Sequence, residues 1–243
     1  MSASQIGALT TSQIAALKPT DFAALGTIQA AGLTTVQVPY ISTQDVVSIS
    51  SAAIAALQSA VLDDFAADLT ASQLSTTAVA SLETGGSLSS VATKAIAGMS
   101  TSQVSNLSTA QLAALTTSQV QAISATDLKA ISTTTLSTLS TAVLANFSNA
   151  QIADLTSAQV VTLGARLTTS QVANLTASQL STAAVTALTT AGTLSAVATK
   201  VIAALSTTQV SNLSTAQLAA LTTSQVQAIS ATDLKAISTT TLS

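Results

Sequence analysis

A Ser or Thr followed three positions later by Gln recurs along the chain at eight-residue intervals, and this spacing limits the possible folds more than any other feature. The clearest units are residues 108–115 (STAQLAAL), 116–123 (TTSQVQAI), 124–131 (SATDLKAI) and 148–155 (SNAQIADL). We call this unit an octad. Its consensus has a hydroxyl residue at position 1, usually Gln at position 4, and large apolar residues at positions 5 and 8.

The octad excludes both a β-strand and one long helix. Its apolar residues are spaced alternately three and five apart, whereas a half-buried strand needs a spacing of two. In a continuous α-helix, eight residues at about 100° each would rotate the apolar stripe by roughly 80° per octad, so no single face would stay apolar. A helix is therefore expected to end and restart in every octad.

The residues at positions 1 and 4 explain how each helix restarts. A Ser or Thr three positions before Gln forms a capping box, in which the hydroxyl accepts from one backbone N–H and Gln accepts from another. The apolar residues on either side of the cap, such as Leu115 and Val120, then form a hydrophobic staple that sets the angle of the turn. Positions 5 and 8 are predicted to form the core.

These signals predict an all-α fold, a solenoid or superhelix of very short capped helices of about one and a half turns each. A six-residue helix is about 9 Å long. It is far below the roughly 12–15 residues that an isolated helix needs in water. Each octad must therefore gain its stability by stacking on its neighbours.

A second, longer period of 106 residues overlies the octads. Segments 69–137 and 175–243 align without a gap and differ at 11 of 69 positions, and residues 1–68 form a more divergent partial copy. We interpret residues 1–243 as one continuous array, with irregular breaks near 83–99 and 189–205. Within those breaks the sequence predicts a glycine turn followed by a longer helix, at 89–99 and 195–205, and residues 176–180 form a truncated unit.

The composition argues against several classes of function. The chain has no Cys and no His, only 6% charged residues and a net charge of −3. Thiol nucleophiles, imidazole bases and Cys/His metal sites are therefore excluded, and no basic patch indicates nucleic-acid binding. Polar residues interrupt every apolar stretch, so we expect no transmembrane segment and find no secretory signal at the start. We predict no enzyme activity, no catalytic or metal site and no cofactor.

A few residues are candidates for a site. The acidic group Asp63, Asp64 and Asp68 could bind calcium, but a solvated polar face is the favoured interpretation. Lys94 and Lys200 have the pattern of ordinary surface charges, and the Asn-x-Ser/Thr motifs are by-products of the octad. The remaining predictions concern carboxylates that complete a capping box, Asp127 and Asp233, and aromatic residues that fill the core, Phe22, Phe65, Phe147 and Tyr40.

The octads resemble the Ser/Thr/Ala/Gln-rich tandem arrays, of the LTTAQVAAL type, of very long bacterial surface or secreted proteins, many of them adhesin-like. The resemblance implies a non-catalytic spacer or scaffold, located outside the cell or on the bacterial surface, whose partners are neighbouring repeats of a longer array. Two alternatives remain open. One is a self-assembling filament or sheath subunit, and the other is a module that binds glycans or ice through a Thr/Ser face.

Overall fold

The computed structural model describes residues 1–237, and this part of the chain is helical throughout, with no β-strand. The last six positions of the segment 175–243 lie outside the described residues. In chain order the α-helices are α1 (Ala3–Gly7), α2 (Thr11–Ala15), α3 (Pro19–Ala23), α4 (Thr27–Ala30), α5 (Thr43–Ser48), α6 (Ser51–Ala55), α7 (Ser59–Phe65), α8 (Thr76–Gly85), α9 (Thr93–Ala97), α10 (Thr101–Ser105), α11 (Thr109–Ala114), α12 (Thr117–Ala122), α13 (Ala125–Leu128), α14 (Thr133–Thr138), α15 (Thr141–Ala145), α16 (Asn149–Asp154), α17 (Ser157–Leu163), α18 (Thr169–Val172), α19 (Thr182–Thr190), α20 (Thr199–Ala203), α21 (Thr207–Ser211), α22 (Thr215–Ala219), α23 (Thr223–Ala228) and α24 (Ala231–Leu234).

Short 3₁₀ helices lie between some of these α-helices. They are Val38–Tyr40, Ala66–Asp68, Ala71–Gln73, Leu88–Ser90, Gly164–Arg166, Ala177–Gln179 and Leu194–Ala196. None of the helices in residues 1–237 combines the length and the apolar character that crossing a membrane requires.

The predicted break at each octad is confirmed by the cap geometry. At Thr116 the backbone is extended, with φ −68° and ψ 160°, and helix α12 begins at the next residue. The Thr116 hydroxyl accepts from the backbone N–H of Gln119 at 3.2 Å, which satisfies one of the donors that a helix start leaves unpaired. Ser108 and Ser124 cap α11 and α13 in the same way.

Most of the predicted core positions are buried, although Val226 and Leu234, at position 5 of their octads, are 38% and 36% exposed. In the octad that starts at Thr116, Val120 and Ile123 have 0% and 2% of their surface exposed. Among the aromatic residues, Phe22, Phe65 and Phe147 are buried as predicted. The prediction for Tyr40 is wrong, since it is 51% exposed. Tyr40 occupies position 7 of its octad, which precedes the buried position 8 and here ends a 3₁₀ helix.

The chain divides into two compact units, residues 1–130 and 131–243, and of the second unit the structure describes residues 131–237. Each is a helical repeat solenoid in which a helix contacts the helix that starts three octads further along. In the first unit α9 contacts α12, whose first residues are Thr93 and Thr117. In the second unit α14 contacts α17, whose first residues are Thr133 and Ser157. Helices that are three octads apart in the sequence therefore pack against each other. Each short helix is stabilised by this contact with a helix distant in the sequence.

The 106-residue period is also present in the secondary structure. Helices α8 and α19 begin at Thr76 and Thr182, and α9 and α20 begin at Thr93 and Thr199. Within each break, the predicted glycine turn follows the longer helix, α8 or α19. Gly86 and Gly192 have φ values of 81° and 70°, a left-handed conformation that a side chain disfavours.

The predicted longer helices at 89–99 and 195–205 are wrong. A 3₁₀ helix at the start of each segment is followed by a five-residue α-helix, α9 or α20. Val91, Ile96 and Met99 are buried at the spacing of five and three that marks an octad. Residues 92–99 are thus an octad whose cap is Ala92, which has no side-chain acceptor but lies outside helical backbone geometry at φ −56° and ψ 131°.

Removing a single cap is expected to weaken the solenoid. In the variant Thr116→Ala, the free energy of unfolding should fall by about 1 kcal/mol, because the N–H of Gln119 loses its acceptor. Ser118→Ala, at an exposed position of the same helix, is the matched control and should change stability little. Urea denaturation followed by circular dichroism measures both. Equal losses would show that the hydroxyl at position 1 is not special.

Candidate functional site

The glutamine at octad position 4 contacts two different parts of the chain. In residues 176–180, the Gln179 side-chain Oε1 accepts from the backbone N–H of Thr176 at 2.7 Å, which completes the predicted capping box. Its Nε2 donates to the backbone carbonyls of Ile152 and Leu155, at 2.8 and 2.7 Å. One buried amide group thus joins its own cap to an octad that lies much earlier in the chain. We call this arrangement a glutamine bridge.

The bridge recurs in both units. Each side chain donates through Nε2 to two backbone carbonyls three residues apart on an earlier part of its own unit. The donors and acceptors are Gln37 to Ile6 and Leu9, Gln73 to Val46 and Ile49, Gln103 to Ala71 and Leu74, Gln119 to Leu88 and Val91, Gln171 to Leu144 and Phe147, and Gln209 to Ala177 and Leu180.

The bridge of Gln179 satisfies one carbonyl that a helix end leaves unpaired, that of Leu155, while the carbonyl of Ile152 also accepts from the backbone N–H of Leu155 at 3.2 Å. Helix α16 ends at Asp154, and the backbone of the following Leu155 has left helical geometry at φ −55° and ψ 146°. Its carbonyl points away from the helix and would be desolvated without a partner. The amide of Gln179 supplies that partner. A side chain at the start of one helix therefore pairs the free carbonyl at the end of a helix in the preceding turn.

Sequence reasoning identified the capping box but missed the bridge. The sequence signal for the bridge was the use of Gln instead of Glu at position 4. Either residue completes a capping box, so the capping box alone does not explain the preference for Gln. The chain nevertheless has one glutamate, Glu83, and it does not stand at position 4 of an octad. A carboxylate has acceptors only, whereas the amide of glutamine also carries two donors. The preference for Gln therefore indicated a second contact that needs donors.

Two of the aspartates at position 4, Asp127 and Asp233, reverse the direction of the contact between turns. The Asp233 carboxylate accepts from the Ser230 hydroxyl within its own cap and from the Thr207 hydroxyl of an earlier helix, both at 2.6 Å. Asp127 accepts from Ser124 and Thr101 in the equivalent way. The prediction that these two carboxylates complete a capping box is wrong, because each accepts from the hydroxyl of its cap residue instead of from that residue's backbone N–H. The two hydroxyl donors lower the pKa of Asp233 below the ordinary aspartate value of 3.8.

The acidic candidates for calcium binding do not converge. Asp68 accepts from the Thr43 hydroxyl at 2.9 Å, and Asp64 is exposed. Asp63 lies against Gly85, where a Cβ would come within 2.2 Å of the carboxylate, and its buried Oδ1 has no hydrogen-bond partner. Within residues 1–237, no three acidic side chains are grouped in a way that could hold a metal ion.

Two equivalent grooves lie at the irregular part of the long repeat. The first, in the unit 1–130, has a volume of about 510 Å³, and the second, in the unit 131–243, has about 450 Å³. Every lining residue of the second groove lies 106 positions after a lining residue of the first. The linings are mostly apolar, with Lys94 or Lys200 exposed in each. Both grooves include Thr and Ala from a shortened unit, residues 70–74 or 176–180, where a 3₁₀ helix replaces the α-helix.

The two grooves differ in charge. The first contains Asp68 and the second contains Asn174 at the equivalent position. The Asn174 side chain donates to the carbonyl of Ser170 in its own octad at 2.7 Å. Each groove is within the size range of small-molecule sites.

Comparison with known proteins supports the repetitive character of the chain. A family model described as the ALTTAQ repeat matches residues 194–231. These residues form part of a tandem-repeat region. No curated protein and no solved structure matches the chain. The matched segment includes the cap residues Ser206, Ser214 and Thr222 and the glutamines that follow them, so the ALTTAQ match covers octads that form capping boxes.

Replacing a bridging glutamine by glutamate should separate the two contacts. In Gln179→Glu the cap N–H keeps an acceptor, but two donors are lost and a carboxylate faces two carbonyl oxygens. The free energy of unfolding is expected to fall by roughly 2–4 kcal/mol. Gln13→Glu is the matched control. Gln13 forms a capping box with Thr10 but has no Nε2 acceptor among residues 1–237, so its replacement should cost less than about 0.5 kcal/mol. Equal losses in chemical denaturation would contradict the bridge.

The pKa of Asp233 should depend on the hydroxyl of the earlier helix. Because the folded state lowers this pKa, its contribution to stability is present above the unfolded value and is lost as the pH falls through the folded one. In Thr207→Val the NMR titration midpoint of the Asp233 carboxyl should move upward, toward 3.8. Thr208→Val, at an exposed neighbouring position, should leave the midpoint where it is in the original chain. An unchanged midpoint in Thr207→Val would contradict this contact.

Proposed function

We propose that the chain is a non-catalytic structural repeat region that acts as an extracellular spacer or scaffold in a large bacterial surface protein. The observation that carries the proposal is the recurrence of the glutamine bridge, from Gln37 in the first unit to Gln209 in the second. The same side-chain contact joins one turn to the next regardless of which octads are involved. An array of this kind can be lengthened by duplication without a new type of interface.

The energetics of short helices also support a structural role. Helices of four to ten residues cannot persist alone, so each octad depends on the turn before it and the turn after it. Stability in such an array is approximately a sum of repeat and neighbour terms. An element that is added in register therefore adds length together with its own stabilising contacts, which is what a spacer requires.

The location is proposed from two supporting features. The octads resemble the arrays of adhesin-like bacterial surface proteins. The surface is wetted mainly by Ser, Thr, Gln and Asn, since only 6% of the residues are charged. A surface of this kind has weak long-range electrostatic interactions and suits a region that separates other domains without binding them.

Lengthening the array by one long repeat tests the spacer proposal. Residues 138–243 can be appended directly after Ser243, because the segment that ends at 243 matches the one that ends at 137. Small-angle scattering should show the maximum dimension rising by the same increment for each added copy. The melting temperature should not fall, because each copy brings its own interfaces. A maximum dimension that does not grow steadily would contradict a spacer.

A control addresses the register of the junction. Appending residues 142–243 after Ser243 omits four residues and displaces the following cap from its octad position. The hydroxyl and the glutamine would then no longer fall at the spacing that the bridge needs. This chain should show a second, lower unfolding transition, while the chain joined in register should unfold without one.

A further inference from the structure

The two grooves occupy the same place in both copies of the long repeat. Each is lined by two α-helices, α5 and α9 in the first unit or α16 and α20 in the second, and by the shortened unit. The lining of the first groove lies between residues 43 and 98, inside a unit that is described completely. Residues 132–137, which are identical to 238–243, take no part in that lining. The grooves are therefore features of the interior of the long repeat.

The walls of both grooves suit a hydrocarbon chain. Alanine is the commonest lining residue, with Leu69 and Val47 in the first groove and Leu175 and Val201 in the second. Val47 is 47% exposed, so part of the first wall is apolar surface in contact with water. Neither lining contains an aromatic residue on which a sugar or an aromatic ring could stack. Covering these walls with an aliphatic chain removes apolar surface from water.

The lysine of each groove has a charge available for a ligand. The hydroxyls of Thr70 and Thr176 donate to the glutamine of their own capping box, at 2.8 and 3.0 Å, so their protons are already in use. Lys94 and Lys200 are exposed, and neither ammonium group has a hydrogen-bond or ion-pair partner among residues 1–237. A ligand that pairs with this group has to be an anion.

We propose that each groove binds a small aliphatic carboxylate. The hydrocarbon chain lies along the alanine-rich wall, and the carboxylate pairs with the ammonium group of Lys94 or Lys200. The charge selects this occupant, because the lysine is the one positively charged residue of each lining. The volumes of about 510 and 450 Å³ are those of small-molecule sites. The site is independent of the spacer proposal, which needs no ligand.

The two grooves should not bind the carboxylate equally. The first groove also contains the carboxylate of Asp68, which accepts from the Thr43 hydroxyl at 2.9 Å, and its charge repels an anionic ligand. The second groove has the neutral Asn174 at this position. Because single charges near water interact weakly, the second groove should bind roughly two- to fivefold more tightly at low salt.

Lysine-selective isotope labelling gives a separate NMR signal for each groove. The chain has five lysines, of which Lys94 and Lys200 line the grooves and Lys18, Lys129 and Lys235 do not. The probe is octanoate, added to dilute protein. The backbone amide signals of Lys94 and Lys200 should shift and reach saturation, at a lower octanoate concentration for Lys200. The other three signals should stay in place.

Exchanging the one charge that distinguishes the grooves tests the assignment. Asp68→Asn keeps an oxygen for the Thr43 hydroxyl and should tighten octanoate binding at the first groove to the level of the second. Asn174→Asp should weaken the second groove by roughly two- to fivefold. Asp64→Asn removes the same charge from an exposed residue outside the lining and should leave both affinities unchanged. Circular dichroism checks the folding of each variant, and each groove has its own variant.

Two further ligands separate the contributions of the chain and the charge. Octanol should bind both grooves equally and more weakly than octanoate binds the second, and butanoate should bind more weakly than octanoate. The proposal is overturned if octanoate leaves Lys94 and Lys200 unchanged, if all five lysine signals shift alike, or if Asp64→Asn acts like Asp68→Asn. It is also overturned if diluting the protein without ligand shifts these two signals, because another copy of the chain would then occupy the grooves.

Discussion

The fold depends on one side-chain amide that pairs with two parts of the backbone at once. The Oε1 of a position-4 glutamine accepts from the cap of its own helix, and its Nε2 donates to carbonyls at the end of an earlier one, as Gln73 does toward Val46 and Ile49. Both ends of a very short helix leave polar groups unpaired. Here the glutamine at the start of one helix donates to backbone carbonyls at the end of another. Because the octad repeats, the same side chain pairs these backbone groups in turn after turn.

This arrangement explains why the chain can be built from helices too short to persist alone. The aliphatic residues at positions 5 and 8 supply burial, but burial has no direction. The amide supplies direction, because it has to reach two carbonyls spaced three residues apart. Where an octad is shortened, as at residues 70–74, the bridge of Gln73 is kept while the α-helix is replaced by a 3₁₀ helix and a groove opens beside it.

Much of the local structure could be predicted from the sequence, because the caps and the apolar spacing act within a single octad. The helix starts after Ser108, Thr116 and Ser124 follow from the hydroxyl caps alone. The helix expected at 89–99 could not be placed correctly, because its cap is Ala92, which gives no sequence signal. The bridge was also missed, since its partners are distant in the sequence and are backbone carbonyls that no side-chain pattern identifies.

Exchange of the glutamine side-chain amide hydrogens, followed by NMR, tests the glutamine bridge most directly. If each bridge is a pair of hydrogen bonds in the folded solenoid, the Nε2 hydrogens of Gln73, Gln119 and Gln179 should exchange far more slowly than those of Gln13, measured on dilute protein. Equal and rapid exchange at all four side chains would contradict the account, because the amides would then be bonded to water and the turns would be held together by apolar contacts alone.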